Sequence, residues 1–171
     1  MENQNNPQNL NNYHKAEDIK NVQKMRQVLN ELPRFCGRFF KNIEDYTSAR
    51  TRLAYAYDLR LFFEFMHENN SQLKKMEIKD FPLEILDKIT REDIEEYLQY
   101  LTYYIKDGKE VMNNENGKER KLASLRSFYN YYFESELIEK NPAVLVSMPK
   151  KHEKAIIRLE SDEVANLLDL V

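Results

Sequence analysis

The residues best suited to chemistry form a basic strip with interleaved hydroxyls in the last third of the 171-residue chain. On a helix, Arg120, Ser124 and Ser127 share one face, and Lys118 and Lys121 lie beside them. Cations of this kind neutralise phosphates, while short hydroxyls reach base edges in the major groove of duplex DNA. The same pattern also suits an ordinary solvated helix face, so it indicates DNA binding only together with other features.

The sequence gives little support for a metal site, a nucleotide-binding loop or a catalytic nucleophile. The three histidines, His14, His67 and His152, lie far apart and lack the spacings typical of zinc sites. Three glycines cannot form a glycine-rich phosphate loop. The carboxylates of residues 92–96 could form an acid/base pair, but a solvated acidic face is the commoner use. Most of the 11 tyrosines fall on apolar stripes, where packing accounts for them. We therefore expect no catalysis by this chain alone, no metal and no other cofactor.

Charge is segregated along the chain, although the net charge of the whole sequence is −3. Residues 84–96 contain six acids against two bases, whereas residues 118–126 and 150–158 each contain four bases against one acid. The electrostatic footprint of a DNA-binding protein is local, so an acidic total does not exclude DNA as a partner.

Composition indicates a cytoplasmic, mostly helical protein. Hydrophobic residues make up 42% of the sequence, with only three glycines and five prolines to mark turns. No apolar run approaches the roughly 18 residues of a membrane span, and the first ten residues do not resemble a secretory signal. The single cysteine, Cys36, excludes an internal disulfide and suits a reducing compartment.

Hydrophobic periodicity predicts an all-α fold, a bundle of four to five main helices with an extra N-terminal helix, and no strand. Residues 1–16 begin with an Asn/Gln-rich stretch and are expected to be disordered. An amphipathic helix follows at 17–32, on a stripe that starts at Ile19, and Pro33 ends it.

Two good N-caps mark the next helices. Ser48 precedes a long helix that runs to about residue 67, apolar on two sides and therefore central to the bundle. Thr90 begins a helix whose stripe runs to Ile105, with Asp93 placed for a capping box. Residues 107–117 are predicted to be a polar loop.

The last bundle helix is predicted at 118–134. Its inward face is expected to carry Leu122, Leu125, Tyr129 and Phe133. Asn141-Pro142 stops this region and starts a short helical turn. Residues 150–158 are predicted to be an exposed basic linker. Ser161 caps a final amphipathic helix, within 159–171, that has no partner in the chain, as though cut from a larger protein.

Three stretches resemble the tyrosine recombinase (phage integrase) family. The first follows the pattern Ser48, Thr51, Tyr55, Asp58, Leu59, Phe62. The second follows the pattern Arg120, Leu125, Arg126, Phe128, then Asn141-Pro142-Ala143 and Pro149-Lys150. The third follows the pattern Leu159, Ser161, Glu163, Val164, Leu167, Leu168. Together they extend from about residue 48 to residue 171.

The resemblance implies a domain organisation. Residues 33–149 would form a SAM-like core-binding domain that closes over one face of duplex DNA. Residues 150–158 would link it to a catalytic domain, of which 159–171 is the first helix. In that family a tyrosine attacks a phosphodiester without a metal, but those catalytic residues belong to the C-terminal domain. None can be carried over to this sequence.

The resemblance implies that three segments contact DNA: the helix that follows Ser48, the helix at 118–134 and the linker. The residues at matching positions are Arg50, Arg52, Arg120, Lys121, Ser124, Lys150 and Lys151. Arg126 matches a family arginine, but it lies nearer the apolar face and could instead be an internal brace.

The expected partners are double-stranded DNA and other recombinase subunits, which would form a tetramer on DNA in the parent protein. No membrane and no small-molecule ligand are expected. Two other functions remain open. One is a helical protein-interaction module that uses the acidic 84–96 face and the C-terminal helix. The other is a stand-alone helical DNA-binding regulator.

Overall fold

The computed structural model describes residues 7–147, and their fold is predominantly helical, as predicted. The α-helices are α1 (Pro7–Leu29), α2 (Cys36–Asn42), α3 (Ala49–Asn69), α4 (Ile85–Lys88), α5 (Arg91–Tyr100) and α6 (Glu115–Glu134). Short 3₁₀ turns cover Glu44–Tyr46, Leu73–Lys75, Ile78–Asp80 and Pro142–Leu145. The predicted linker at 150–158 and helix within 159–171 lie outside the described residues. No helix in the described part is long and apolar enough to cross a membrane.

Helix α1 begins at Pro7, ten residues before the predicted start, so the expectation of a disordered 1–16 is wrong for residues 7–16. Proline suits the first position of a helix because its missing N–H would have no partner there. The C-terminal part of α1 packs against α3, burying Met25 and Val28. Ile19 was predicted to begin the apolar stripe, but it is 53% exposed because it lies before this contact.

Helix α3 lies at the centre of the bundle and begins where the sequence predicts. The Ser48 hydroxyl accepts a hydrogen bond from the Thr51 amide at 3.1 Å and so caps the helix. Leu59, Phe62 and Phe63 are almost fully buried beneath the neighbouring elements.

Helix α6 packs against α3 and α2 through a ring cluster around Phe128. The ring of Phe128 contacts Phe35, Phe39, Phe63 and Tyr132 at centroid distances of 4.9–6.4 Å. Leu122, Leu125 and Tyr129 are buried as predicted, but the buried face of α6 also extends to Phe128 and Tyr132. Phe133, expected inside, is 46% exposed, whereas Phe128 and Tyr132 are fully buried.

The prediction of no strand is wrong, because residues 103–112 form a β-hairpin. Strands β1 (Tyr103–Lys106) and β2 (Lys109–Met112) are antiparallel, with Lys106 opposite Lys109. Asp107 and Gly108 join them with φ angles of 51° and 73°, as a two-residue hairpin turn requires. Helix α5 consequently stops at Tyr100 instead of reaching Ile105.

Two predicted features of the α5 and α6 ends are confirmed. Thr90 and Asp93 form a reciprocal capping box at the start of α5. Arg126 of α6 donates to the carbonyls of Ala143 (3.0 Å) and Val146, which follow the helix. These bonds hold the Pro142–Leu145 turn against α6. Arg126 is thus an internal brace.

Candidate nucleic-acid interface

A buried carboxylate organises the basic strip of α6. Asp58 on α3 is only 3% exposed. Its two oxygens accept from the two terminal nitrogens of Arg120 at 2.5 and 2.7 Å, a bidentate geometry. The Lys121 ammonium lies 3.2 Å from one oxygen, and the Ser124 hydroxyl donates to the other at 2.7 Å. Three residues of the predicted strip therefore converge on one acid.

The three partners of Asp58 differ in what they present to solvent. The Arg120 side chain is 50% exposed, the Lys121 side chain is 12% exposed, and Ser124 is 1% exposed. A guanidinium has five N–H donors. Arg120 can therefore keep both bonds to Asp58 and still offer donors to an anion from solvent.

A groove of about 400 Å³ opens above this cluster, between α3, the hairpin and α6. Its lining comprises Ala54, Tyr57, Asp58, Arg60, Leu61, Tyr104, Lys106, Arg120 and Lys121. Four of these side chains are basic and one is acidic. The groove thus brings together cations from three separate elements.

A second ion-pair network borders the same groove. Arg60 donates to Glu31, beyond the end of α1, at 2.9 Å and lies 3.7 Å from Glu64. Glu64 also pairs with Lys106 of β1 at 2.5 Å. These contacts fix the hairpin and the chain after α1 to α3. They also hold the Arg60 and Lys106 side chains in place.

The predicted site residues do not all lie at this surface. Arg50 is exposed in the first turn of α3. Arg52 is 8% exposed, and its guanidinium donates to the carbonyls of Glu44 (3.0 Å) and Thr47. Ser124 is buried against Asp58.

Two assignments change as a result. Arg52 and Ser124 make structural contacts inside the protein, so we remove them from the proposed DNA-contacting set. Arg50, Arg120 and Lys121 remain in it. Lys150 and Lys151 lie outside the described residues and stay as predictions.

Sequence reasoning missed Asp58, Arg60, Lys106 and Tyr57 as parts of the site. One signal was available for Asp58, which sits between Ala56 and Leu59 in the middle of a helix apolar on two sides. A charged residue at such a position requires a partner. Nothing in the sequence identified the partner, because Arg120 is 62 residues away.

The acidic stretch 84–96 is partly used within the protein. Asp87 accepts from the amides of Glu139 and Lys140, Asp93 belongs to the capping box, and Glu95 pairs with Arg91 at 2.7 Å. No group of three His, Cys, Asp or Glu side chains within residues 7–147 is arranged to hold a metal ion.

A wider groove of about 1020 Å³ lies beside this acidic stretch, between the start of α5, the end of α6 and the Pro142–Leu145 turn. Phe133, Val144 and Leu145 line it and are 46%, 51% and 62% exposed.

Comparison with known proteins finds similarity to tyrosine recombinases. The chain is 33% identical over 131 residues to tyrosine recombinase XerC of Caldanaerobacter subterraneus subsp. tengcongensis, covering 72% of this chain and 35% of that protein. It is 30% identical over 143 residues to tyrosine recombinase XerC of Leptospira interrogans, covering 84% and 40%. For tyrosine recombinase XerD of Oceanobacillus iheyensis the identity is 28% over 132 residues, covering 77% and 38%. The chain therefore spans well under half the length of these relatives. No family model and no solved structure matches it.

Proposed function

Because this chain is a homologue of the tyrosine recombinases over most of its length, we propose that it is a DNA-binding region that grips duplex DNA during site-specific recombination or integration. The proposed contacts are Arg50, Arg120 and Lys121, with Lys150 and Lys151 on the segment that follows. Strand exchange and assembly with other recombinase subunits are proposals about a longer protein, whose catalytic tyrosine would lie outside this chain.

The geometry of Arg120 is the observation that carries the proposal. Its guanidinium is held by two hydrogen bonds to buried Asp58, yet half of the side chain faces solvent. An arginine fixed in this way loses little conformational entropy when it binds a phosphate. The four basic side chains of the groove are paired with three acids, Asp58, Glu31 and Glu64, which leaves an excess of one positive charge toward the DNA backbone.

The salt dependence of binding tests the proposal. The chain is titrated against a mixed-sequence duplex at several salt concentrations. Five phosphate contacts predict a slope of about −4 to −5 for log affinity against log salt concentration. Binding that is absent at low salt, or that does not change with salt, would contradict the proposal.

A matched pair of variants assigns the contact. Arg120→Gln should reduce the magnitude of the salt slope by about 1, since one phosphate contact is lost. Arg91→Gln serves as the control, because Arg91 is an exposed arginine that pairs with Glu95 on α5, away from the groove. Its slope should equal that of the wild type. Circular dichroism of both variants checks that the helical fold is retained.

The rival function is protein binding, and the exposed apolar groove at Phe133, Val144 and Leu145 favours it. The double charge reversal Arg120→Glu and Lys121→Glu separates the two functions. DNA binding should collapse in this variant, whereas a partner docked beside the acidic stretch should bind unchanged. The variant is compared only while its circular dichroism equals that of the wild type, because it removes both cationic partners of Asp58 and unfolding would abolish either function. Wild-type affinity for DNA after the reversal would remove the case for the Asp58 cluster as an interface.

A further inference from the structure

We propose that Ala54 and Tyr57 of α3 contact the 5-methyl groups of thymine in the major groove, so that the chain prefers sites with thymine at this position. This inference rests on the proposed DNA-binding function and deepens it. The apolar part of the groove would bind the thymine methyl group, which the cationic side chains cannot recognise.

Tyr57 is exposed although it lies in the middle of the central helix. Its neighbours Ala56 and Asp58 are buried, but Tyr57 itself is 40% exposed and lines the groove. Ala54, one turn earlier, and Leu61, one turn later, line the same groove. Together they form an apolar strip along α3 between the basic side chains.

The ring of Tyr57 is held in position by its neighbours. The guanidinium carbon of Arg60 lies 5.2 Å from the ring centroid, a cation–π contact. Arg60 is in turn held by Glu31 and Glu64. The ring therefore presents an apolar surface whose orientation is set before any ligand arrives.

The chemistry of the major groove indicates what this strip would meet. The flanking basic side chains would bind phosphates. The apolar group that the base edges present in the major groove is the thymine methyl. Alanine and aromatic side chains are the usual apolar partners of that methyl. Ala54 is also small, which allows the base edge to approach the helix closely.

Replacing thymine with uracil tests the inference, because it removes only the methyl group. The whole chain is titrated against an A·T-rich duplex and against the same duplex with deoxyuridine in place of every thymidine. We expect the wild type to bind the uracil duplex about fourfold more weakly for each methyl buried. The salt slope should be the same for both duplexes, since a methyl carries no charge.

Three variants assign the effect to Tyr57. Tyr57→Ala should lower the ratio of the two affinities by about fourfold, since the methyl contact of the ring is lost while that of Ala54 remains. Tyr57→Phe should retain the wild-type ratio because the ring makes the contact. Tyr13→Ala removes a tyrosine that is 65% exposed on α1, outside the groove, and should also retain the ratio.

The outcomes separate this inference from the function on which it rests. Equal wild-type affinity for the two duplexes overturns the methyl contact but leaves DNA binding intact. A ratio that is unchanged in Tyr57→Ala shows that the ring makes no methyl contact and also overturns the inference. Absence of salt-dependent binding to either duplex overturns the proposed function itself.

Discussion

Asp58 is a buried acid beneath a surface that we propose binds a polyanion. Its charge is matched by Arg120 and Lys121, and its remaining acceptor capacity by Ser124. A buried ion pair is weak support for stability, because its desolvation cost is comparable to the attraction. Its clearer role is geometric, since it fixes where α6 and its basic residues lie relative to α3.

Replacing Asp58 should lower the free energy of unfolding much more than replacing an exposed acid. Asp58→Ala removes the partner of Lys121, whose side chain is 12% exposed, and of the Ser124 hydroxyl. We expect a loss of about 3 kcal/mol in the free energy of unfolding. That value is at the low end for a buried pair because Arg120 can turn toward water. Urea denaturation at neutral pH measures it.

Glu95 provides the matched control. It pairs with Arg91 on the surface of α5, with 44% of its side chain exposed. Glu95→Ala should cost less than about 1 kcal/mol, as is usual for exposed pairs. Equal losses in the two variants would show that the Asp58 cluster is not a distinct structural unit.

Single arginines show what the sequence can and cannot predict at this scale. The helical wheel placed Arg126 near the apolar face, and the structure confirms it as a brace. Arg52 was expected to contact DNA, yet it is buried. The difference is that the 3₁₀ turn at Glu44–Tyr46 folds over the start of α3, and the helical pattern alone gives no sign of that.

At the scale of elements, the hairpin between α5 and α6 is the main departure from a purely helical bundle. Asp107-Gly108 is a strong hairpin signal, but the flanking strands are only four residues each. Alternation over four residues is too short to outweigh the helical periodicity that runs into it from α5. Caps were more predictive, because Ser48 and Thr90 act locally and independently of tertiary packing.

Two Gly→Ala variants should change the stability of the protein in opposite directions. One lies in the hairpin turn, and the other lies in α2 for comparison. Gly108 has φ of 73°, so Gly108→Ala should destabilise the turn by about 1–2 kcal/mol even though an added methyl meets no atom within 4 Å. Gly37 lies within α2 and an added methyl there also meets nothing within 4 Å. Gly37→Ala should therefore stabilise the protein by about 0.5–1 kcal/mol.

Hydrogen exchange and thermal unfolding distinguish the two effects. In Gly108→Ala the amides of β1 and β2 should lose protection before those of α3, because the hairpin opens locally. In Gly37→Ala the midpoint of unfolding should rise without a change in hairpin protection. A stabilising Gly108→Ala would contradict the positive φ.

At the scale of the whole molecule, the fold depends on an aromatic core that the sequence predicted only in outline. The apolar stripes identified α3 and α6 as core helices and most of the inward face of α6, but not the burial of Phe128 or the exposure of Phe133. The burial of Phe128 follows from the packing of α6 against both α2 and α3, which no single-helix pattern contains. The family resemblance, in contrast, was readable from short motifs and agrees with the recombinase relatives.

The same core makes the stability of the protein sensitive to alkaline pH. Burial raises the pKa of Tyr97, Tyr129 and Tyr132 above the ordinary value of 10.0. These phenols ionise more readily in the unfolded chain than in the folded one. Their contribution to stability is therefore complete below about pH 10 and is lost as the pH rises above it.

Tyr97 allows this effect to be isolated. Its hydroxyl is buried and makes no hydrogen bond within the described part of the chain, so Tyr97→Phe removes an unsatisfied polar group and should be neutral or stabilising at pH 7. Above pH 10 the variant should lose stability less steeply than the wild type, by about 1.4 kcal/mol per pH unit, since one proton fewer is released on unfolding. Urea denaturation between pH 8 and pH 11 measures both curves, with Tyr13→Phe as the exposed control. Parallel curves for Tyr97→Phe and the wild type would mean that Tyr97 is not held protonated by the core.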